Sequence, residues 1–324
     1  MKPLHRVDIA SGQPSALKVA AILAAAPSEV CFHSRLGLRQ PVGIYNVSVK
    51  RICEKVALFC TALEAYFKAA HRYDDARLRD DLCDKVVHEA ESAIYAAAEH
   101  VDDVDSIARG FFAEDREWKR HSAYKVLAEL VKHEKRMIAV AANQIKHQQS
   151  RMRVYTIGLQ HAGHEFCLHG YYLEGVEGDA IVPNTALHRD FEVFSFSSLA
   201  WEIITFLLAC SDALGEFLKA MGIAVGAESQ INQSAFEKAV IAASRLPLYS
   251  FGEPHPFSRM TIQVGTSDWN LEPFKSGIYG SLLNGWGPDN QIVVLNFGSS
   301  FVGDGVTKNF RIVGPEAVSL QRWT

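Results

Sequence analysis

Apolar residues recur at three- and four-residue spacing along the first half of the chain and alternate with polar residues in only a few places. Ile52, Val56, Phe59, Leu63, Phe67 and Ala70 share one stripe, which predicts a core-facing helix from about Val47 to Ala70. A second helix is predicted from about Ala76 to Val101. It turns Leu78, Leu82, Val86, Ala90, Ile94 and Ala97 inward and Asp80, Asp81, Asp84 and Glu91 outward, and the acidic group Asp102, Asp103 and Asp105 marks a turn after it. Beyond a short segment around Ile107 to Phe112, a third helix spans roughly Trp118 to Met152, with Leu127, Leu130, Val131, Ile138, Ala141 and Ile145 as its inner stripe. Three long amphipathic helices imply a bundle.

The period changes at Arg153. Val154, Thr156 and Gly158, then Phe166, Leu168 and Tyr171, separated by Ala162 and Gly163, read as the two strands of a hairpin, with a second turn near Gly175 to Asp179. From Ser197 to Met221 the chain is apolar nearly all round, the pattern of a helix buried centrally in a bundle, and Gly222 ends it. Ser234 to Glu237 is a capping-box pattern opening a further helix to about Arg245. Past Pro247, Gly, Pro, aromatic and β-branched residues dominate, and Met260 to Gly265, Gln291 to Phe297 and Thr307 to Val313 are strand candidates.

These patterns predict an α+β fold: a mainly helical bundle with an inserted β-hairpin and a β-rich C-terminal region. The 324 residues exceed the usual size of a single core. They divide into an N-terminal segment with a short helix (1–46), the bundle (47–222, hairpin at 153–175) and the C-terminal region (223–324), with a soft boundary at 221–228.

Charge adds a local asymmetry to this picture. The net charge of −4 argues against a uniformly basic nucleic-acid binder. Yet Asp74 to Arg116 holds 13 acids and 5 bases, a net of −8, and Glu117 to Arg153 holds 9 bases and 3 acids, a net of +6. Either consecutive helices neutralise each other across the bundle, or the basic stretch faces a polyanion.

The six cysteines, Cys31, Cys53, Cys60, Cys83, Cys167 and Cys210, form no C-x-x-C pair, and four of them fall on apolar helix faces. Buried thiols in a reducing compartment are the expectation, hence a cytoplasmic protein. Lys18 to Ala26 has the apolar run of a signal-peptide core, but Pro27 follows it and Asp8 precedes it, which favours a retained helix. The most apolar stretch, Leu199 to Cys210, is too short to span a bilayer and contains Glu202.

Several catalytic signatures are missing from the sequence. It has no G-x-x-x-x-G-K-[ST] phosphate loop, no G-x-S-x-G elbow and no H-E-x-x-H. Gly303-Asp-Gly305 lacks the third glycine of a dinucleotide loop and reads as a turn. The hairpin carries His161, His164, Cys167 and His169, with Cys167 and His169 on one sheet face. Solvated turn histidines are the expectation, and no metal or cofactor is assigned.

One constellation carries chemistry. Arg136, Asn143, His147 and Arg151 are separated by seven, four and four residues, so on a helix they form one polar stripe opposite Ile138 and Ile145, flanked by Lys132, Lys135 and Lys146. Such a stripe suits phosphate, and a solvated helix face is its plain alternative. Asn143-Gln-Ile-Lys-His147 resembles the late-helix element of the HEPN superfamily, helical bundles with an R-x(4–6)-H pattern in which Asn often follows the Arg. The likeness covers roughly 47–221. It implies action on RNA across a dimer interface, in a defence or toxin–antitoxin setting, with the Arg stabilising phosphate charge and the His supporting attack of the 2′-hydroxyl. Those roles map here only onto Asn143 and His147, because Val140, Ala141 and Ala142 occupy the window where the arginine is expected.

Three functions follow as expectations. The first is RNA or nucleotide binding on Arg136, Lys146 and Arg151 with Asn143 and His147, without efficient catalysis. The second is an RNase with a rearranged Arg/His site. The third is a protein-interaction module using Trp269, Tyr279 and Trp286 of the C-terminal region.

Overall fold

A computed structural model describes residues 5–8, 15–69, 75–114, 116–148, 150–161, 164–178, 180–188, 193–223, 234–247, 249–251, 260–263, 291–293, 311–312 and 321–322. The chain is an α+β protein, mainly helical. In order, the elements are β1 (His5–Asp8), α1 (Ser15–Ala25), α2 (Pro41–Ala69), α3 (Ala76–Arg109), α4 (Ser122–Glu134), α5 (Arg136–His147), β2 (Met152–His161), β3 (His164–Glu177), β4 (Ala180–Pro183), β5 (Phe194–Ser195), α6 (Phe196–Ala220), α7 (Ser234–Ser244), β6 (Tyr249–Ser250), β7 (Met260–Gln263), β8 (Gln291–Val293), β9 (Arg311–Ile312) and β10 (Gln321–Arg322).

Helix α2 starts at Pro41, where a fixed φ and a missing N–H suit the first helical position, six residues before the expected Val47. The extra turn buries Tyr45, whose hydroxyl lies 2.7 Å from Ser211 Oγ on α6. Asp75 caps α3 by accepting from Leu78 N at 2.9 Å.

Helix α3 does not turn at Asp102, Asp103 and Asp105 but runs through them to Arg109. The apolar series continues with Val101, Val104, Ile107 and Ala108, all buried, and this drives the helix on. The acids find cations: Arg51 of α2 reaches Glu99 at 2.9 Å and Asp103 at 2.7 Å, and Arg109 pairs with Asp105.

The expected third helix is two, α4 and α5, separated by Lys135. Lys135 keeps right-handed angles (φ −73°, ψ −9°) and is where the four-residue hydrogen bonds of both helices end, Lys135 N donating to Val131 O and Lys135 O accepting from Ala139 N. Ala123, Leu127, Val131, Ile138, Ala141 and Ala142 are buried, while Leu130, expected inside, is 45% exposed because Val131 takes the core position.

The expected hairpin forms, with a register that runs from Met152 opposite Leu173 to His161 opposite His164. It lies in a six-stranded sheet of order β8-β2-β3-β4-β9, with β5 also paired to β3. Strands β1 and β7 form a parallel pair, and β6 and β10 an antiparallel one. One sheet face rests on the helices: His169 stacks 4.2 Å from Tyr66 and 4.8 Å from Phe67 of α2, and Tyr171 lies 5.1 Å from Phe196 of α6. The other face carries Arg153, Tyr155 and Tyr172, with Phe251 against Tyr155.

Helix α6 is the central helix. It is capped by Ser195, which accepts from Ser198 N at 2.9 Å, is buried on nearly every side, and is closed by Gly222 at φ +74°. Helix α7 packs against α2 and α6, so the helical layer continues past residue 222. Among the described residues no helix is long and apolar enough to cross a membrane.

Candidate functional site

Helix α5 contains no acidic residue. Ile138, Ala141 and Ala142 anchor its buried side, and Arg136, Asn143, Lys146 and His147 are all exposed. At 3.6 residues per turn, Arg136, Asn143 and His147 fall within an arc of about 40°, with Lys146 on its flank.

Arg151 is not part of this stripe. The helix ends at His147, and Arg151 lies in the link to β2, where its N–H donates to Glu174 Oε2 at 3.2 Å and its carbonyl accepts from Glu174 N at 3.0 Å. Burial holds the nearby Glu91 carboxyl above its usual range, a rise opposed by the Met152 N–H, by His88 and by the Arg151 charge. Arg151 therefore sits beside a carboxylate, whereas among the described residues no ion pair is formed by Arg136 or Lys146 of α5.

The buried side of α4, formed by Ala123, Leu127 and Val131, lines up with that of α5, so the stripe has a counterpart on α4. Lys125 and Lys132, both exposed, continue the line of Arg136, Asn143 and His147. Lys125 escapes a reading that begins at Arg136, and seven-residue spacing to Lys132 is the signal that finds it. Lys132 meets Glu129 at 3.5 Å in a fully solvated pair. Among the described residues no ion pair joins a base of α4 or α5 to an acid of α3, and of the basic stretch Arg151 is the member whose charge acts on an α3 carboxylate, Glu91.

The C-terminal end of α5 is fixed to the sheet. Gln144 Oε1 accepts from Asn184 Nδ2 at 2.9 Å and from Ser150 Oγ at 3.4 Å, and Asn184 N donates to Leu173 O at 2.8 Å. This holds the turn carrying Asn143, Lys146 and His147 while leaving those three side chains in solvent.

No protein-family model, curated protein or solved structure matches this chain. The likeness to HEPN proteins rests on the Asn143 to His147 element. Two of the three positions where the family arginine is expected, Ala141 and Ala142, are buried, so a cation there would point into the core.

The remaining chemical groups are structural. Cys167 and His169 share the helix-facing side of the sheet, as alternation requires. His169 is 1% exposed, with its Nδ1 3.0 Å from Thr156 Oγ1, so it is a core histidine and not a solvated one. The side chains of His161 and His164, together with Trp269, Tyr279, Trp286 and Gly303 to Gly305, lie outside the described residues. Cys53, Cys60, Cys83, Cys167 and Cys210 are buried, and burial pushes the Cys53 and Cys83 thiols up to about 12. Among the described residues no group of three or more His, Cys, Asp or Glu is placed to hold a metal ion.

Proposed function

We propose that the chain binds RNA or a nucleotide through the exposed basic side of α5, without efficient catalysis. The observation that carries this reading is an acid-free helix presenting Arg136, Lys146 and His147 to solvent, none with an ion-pair partner among the described residues. The unpaired Arg136 and Lys146 cations, held on one rigid face, attract a polyanion and release its counterions on binding. Asn143 adds a neutral donor and acceptor between them.

Phosphoryl-transfer chemistry needs a cation fixed where charge develops, and its loss costs orders of magnitude in rate. The buried Ala141 and Ala142 leave no such group five or six residues before His147, which supports binding over turnover. Fluorescence anisotropy with labelled RNA across a salt series tests the reading. The expected result is affinity that falls steeply with salt, and an Arg136→Ala, Lys146→Ala double variant that binds more weakly with a shallower slope. Equal binding by the wild type and the variant rejects it.

A further inference from the structure

We propose that the bound polyanion is a single RNA strand lying lengthwise along α4 and α5, its phosphates on a ridge formed by Lys125, Lys132, Arg136 and His147 and its bases against an adjoining apolar flank. The proposal rests on the RNA-binding reading and specifies the form of the RNA and the path it follows.

The ridge follows from the burial pattern of the two helices. Although Lys135 interrupts the helical hydrogen bonding, counting residues through it puts the buried positions of α4 and α5 on one common side. At about 100° per residue the buried positions Ala123, Leu127, Val131, Ile138, Ala141 and Ala142 occupy an arc of about 100°. On the opposite side, Lys125, Lys132, Arg136, Asn143 and His147 fall within about 60° of one another, all exposed. From Lys125 to His147 the row extends about 33 Å at 1.5 Å per residue. Its one acid is Glu129, held by Lys132 at 3.5 Å in a solvated pair that opens at little cost.

The flank is the second observation. Val126 is 58% exposed and Leu130 45% exposed, one turn apart on α4, and the half-buried Met137 follows on the same side of α5. These apolar groups run beside the first half of the row, from Val126 to Met137, and nucleobase faces match them in chemistry. A duplex hides its base faces and sets a second phosphate row beyond the reach of one ridge. The deep major groove of A-form RNA also excludes such a helix. A single strand offers phosphates to the ridge and unstacked bases to the flank together.

The test compares a labelled single-stranded oligouridylate of about twelve nucleotides with a duplex RNA of the same length. Lys125→Ala should weaken single-strand binding about fivefold at low salt and lower the slope of log K against log salt by about 0.7. Val126→Ser with Leu130→Ser, both at solvated positions, should weaken single-strand binding at an unchanged slope and leave duplex binding as it was. If Arg136→Ala with Lys146→Ala impairs binding while the Lys125 and Val126/Leu130 variants do not, the lengthwise path is overturned and the α5 site stands. Tighter binding of the duplex overturns the single-strand assignment. Binding to phosphatidylserine vesicles with none to either RNA overturns both this proposal and the reading beneath it.

Discussion

Asn184 donates its side-chain N–H to Gln144 Oε1 at 2.9 Å, joining the turn after β4 to the last turn of α5. Asn184 also donates its backbone N–H to Leu173 O at 2.8 Å, and its Oδ1 accepts from Ala186 N at 3.0 Å. The exposed Asn143, Lys146 and His147 thus ride on a turn whose position is set by the sheet. Gln144→Leu removes the acceptor for both Asn184 and Ser150, at an expected cost of about 1 to 2 kcal/mol in chemical unfolding. Amide exchange should rise selectively at 143–148.

His100 and His169 are buried uncharged. His100, fully enclosed between α2, α3 and α6, keeps Nδ1 2.8 Å from Ser48 Oγ; burial, with a smaller part from the Arg51 charge, pushes its pKa down to about 3. Burial brings His169 down to about 3 as well. An unfolded histidine titrates near 6.5, so between roughly pH 6.5 and 3 the unfolded chain binds more protons than the folded one. The stability these groups confer is complete above the unfolded pKa and is lost as pH falls through that window, by about 1.4 kcal/mol per pH unit for each histidine. Urea unfolding from pH 7.5 to 4.5 should show this slope, and His100→Gln should reduce it by about half of the histidine contribution, whatever its effect on stability at pH 7.5.

Most of the architecture was legible because burial repeats locally. Phe59, Leu63 and Phe67 place α2, the apolar run from Phe196 to Leu218 places α6, and alternation about Ala162-Gly163 places the hairpin. The end of α3 was not legible, because clustered acids read as a turn until Arg51, 48 or more residues earlier in the chain, is known to sit against Glu99 and Asp103. Lys135 looks like any helical residue, and nothing in its neighbours announces the interruption there. The stripe from Arg136 to His147 was legible from spacing alone. Arg151 was not separable from it, since its departure depends on where α5 stops and on the Glu174 carboxylate it meets across the hairpin.

Gly170 sits where β3 passes under the chain entering α6. A methyl group there would meet Phe251 Cε2 at 2.5 Å, Phe194 O at 2.6 Å and Val193 Cγ1 at 2.7 Å. Two of those three belong to packed side chains and one to backbone, so relief requires moving β5. Gly170→Ala should destabilise by about 3 kcal/mol or more. Gly222→Ala meets nothing within 4 Å and suffers only from its φ of +74°, at about 1 to 2 kcal/mol. Thermal melts of the two variants should rank in that order.

Arg153 and Glu174 form an ion pair across β2 and β3 with side chains 6% and 11% exposed. Glu174 also receives the Arg151 N–H at 3.2 Å. Arg153→Met leaves the carboxylate buried without its guanidinium, at an expected cost of about 3 to 5 kcal/mol. Arg153→Met with Glu174→Leu removes both charges and should recover a large part of that loss. A double variant less stable than Arg153→Met alone would show that Glu174 acts chiefly through the Arg151 backbone.

Binding and turnover make opposite demands on His147. As a member of a phosphate-binding row it acts through position and its ring N–H, so His147→Lys should preserve or strengthen RNA affinity, while His147→Ala weakens it a few-fold. As a group that activates a 2′-hydroxyl it has no substitute in lysine, and both variants would lose cleavage together. With Ala141 and Ala142 turned into the core in place of a phosphate-stabilising cation, wild type, His147→Ala and His147→Lys should show the same background RNA cleavage when purified identically. A wild-type rate that exceeds both variants by tenfold or more would instead assign His147 to catalysis and require an arginine from a second chain.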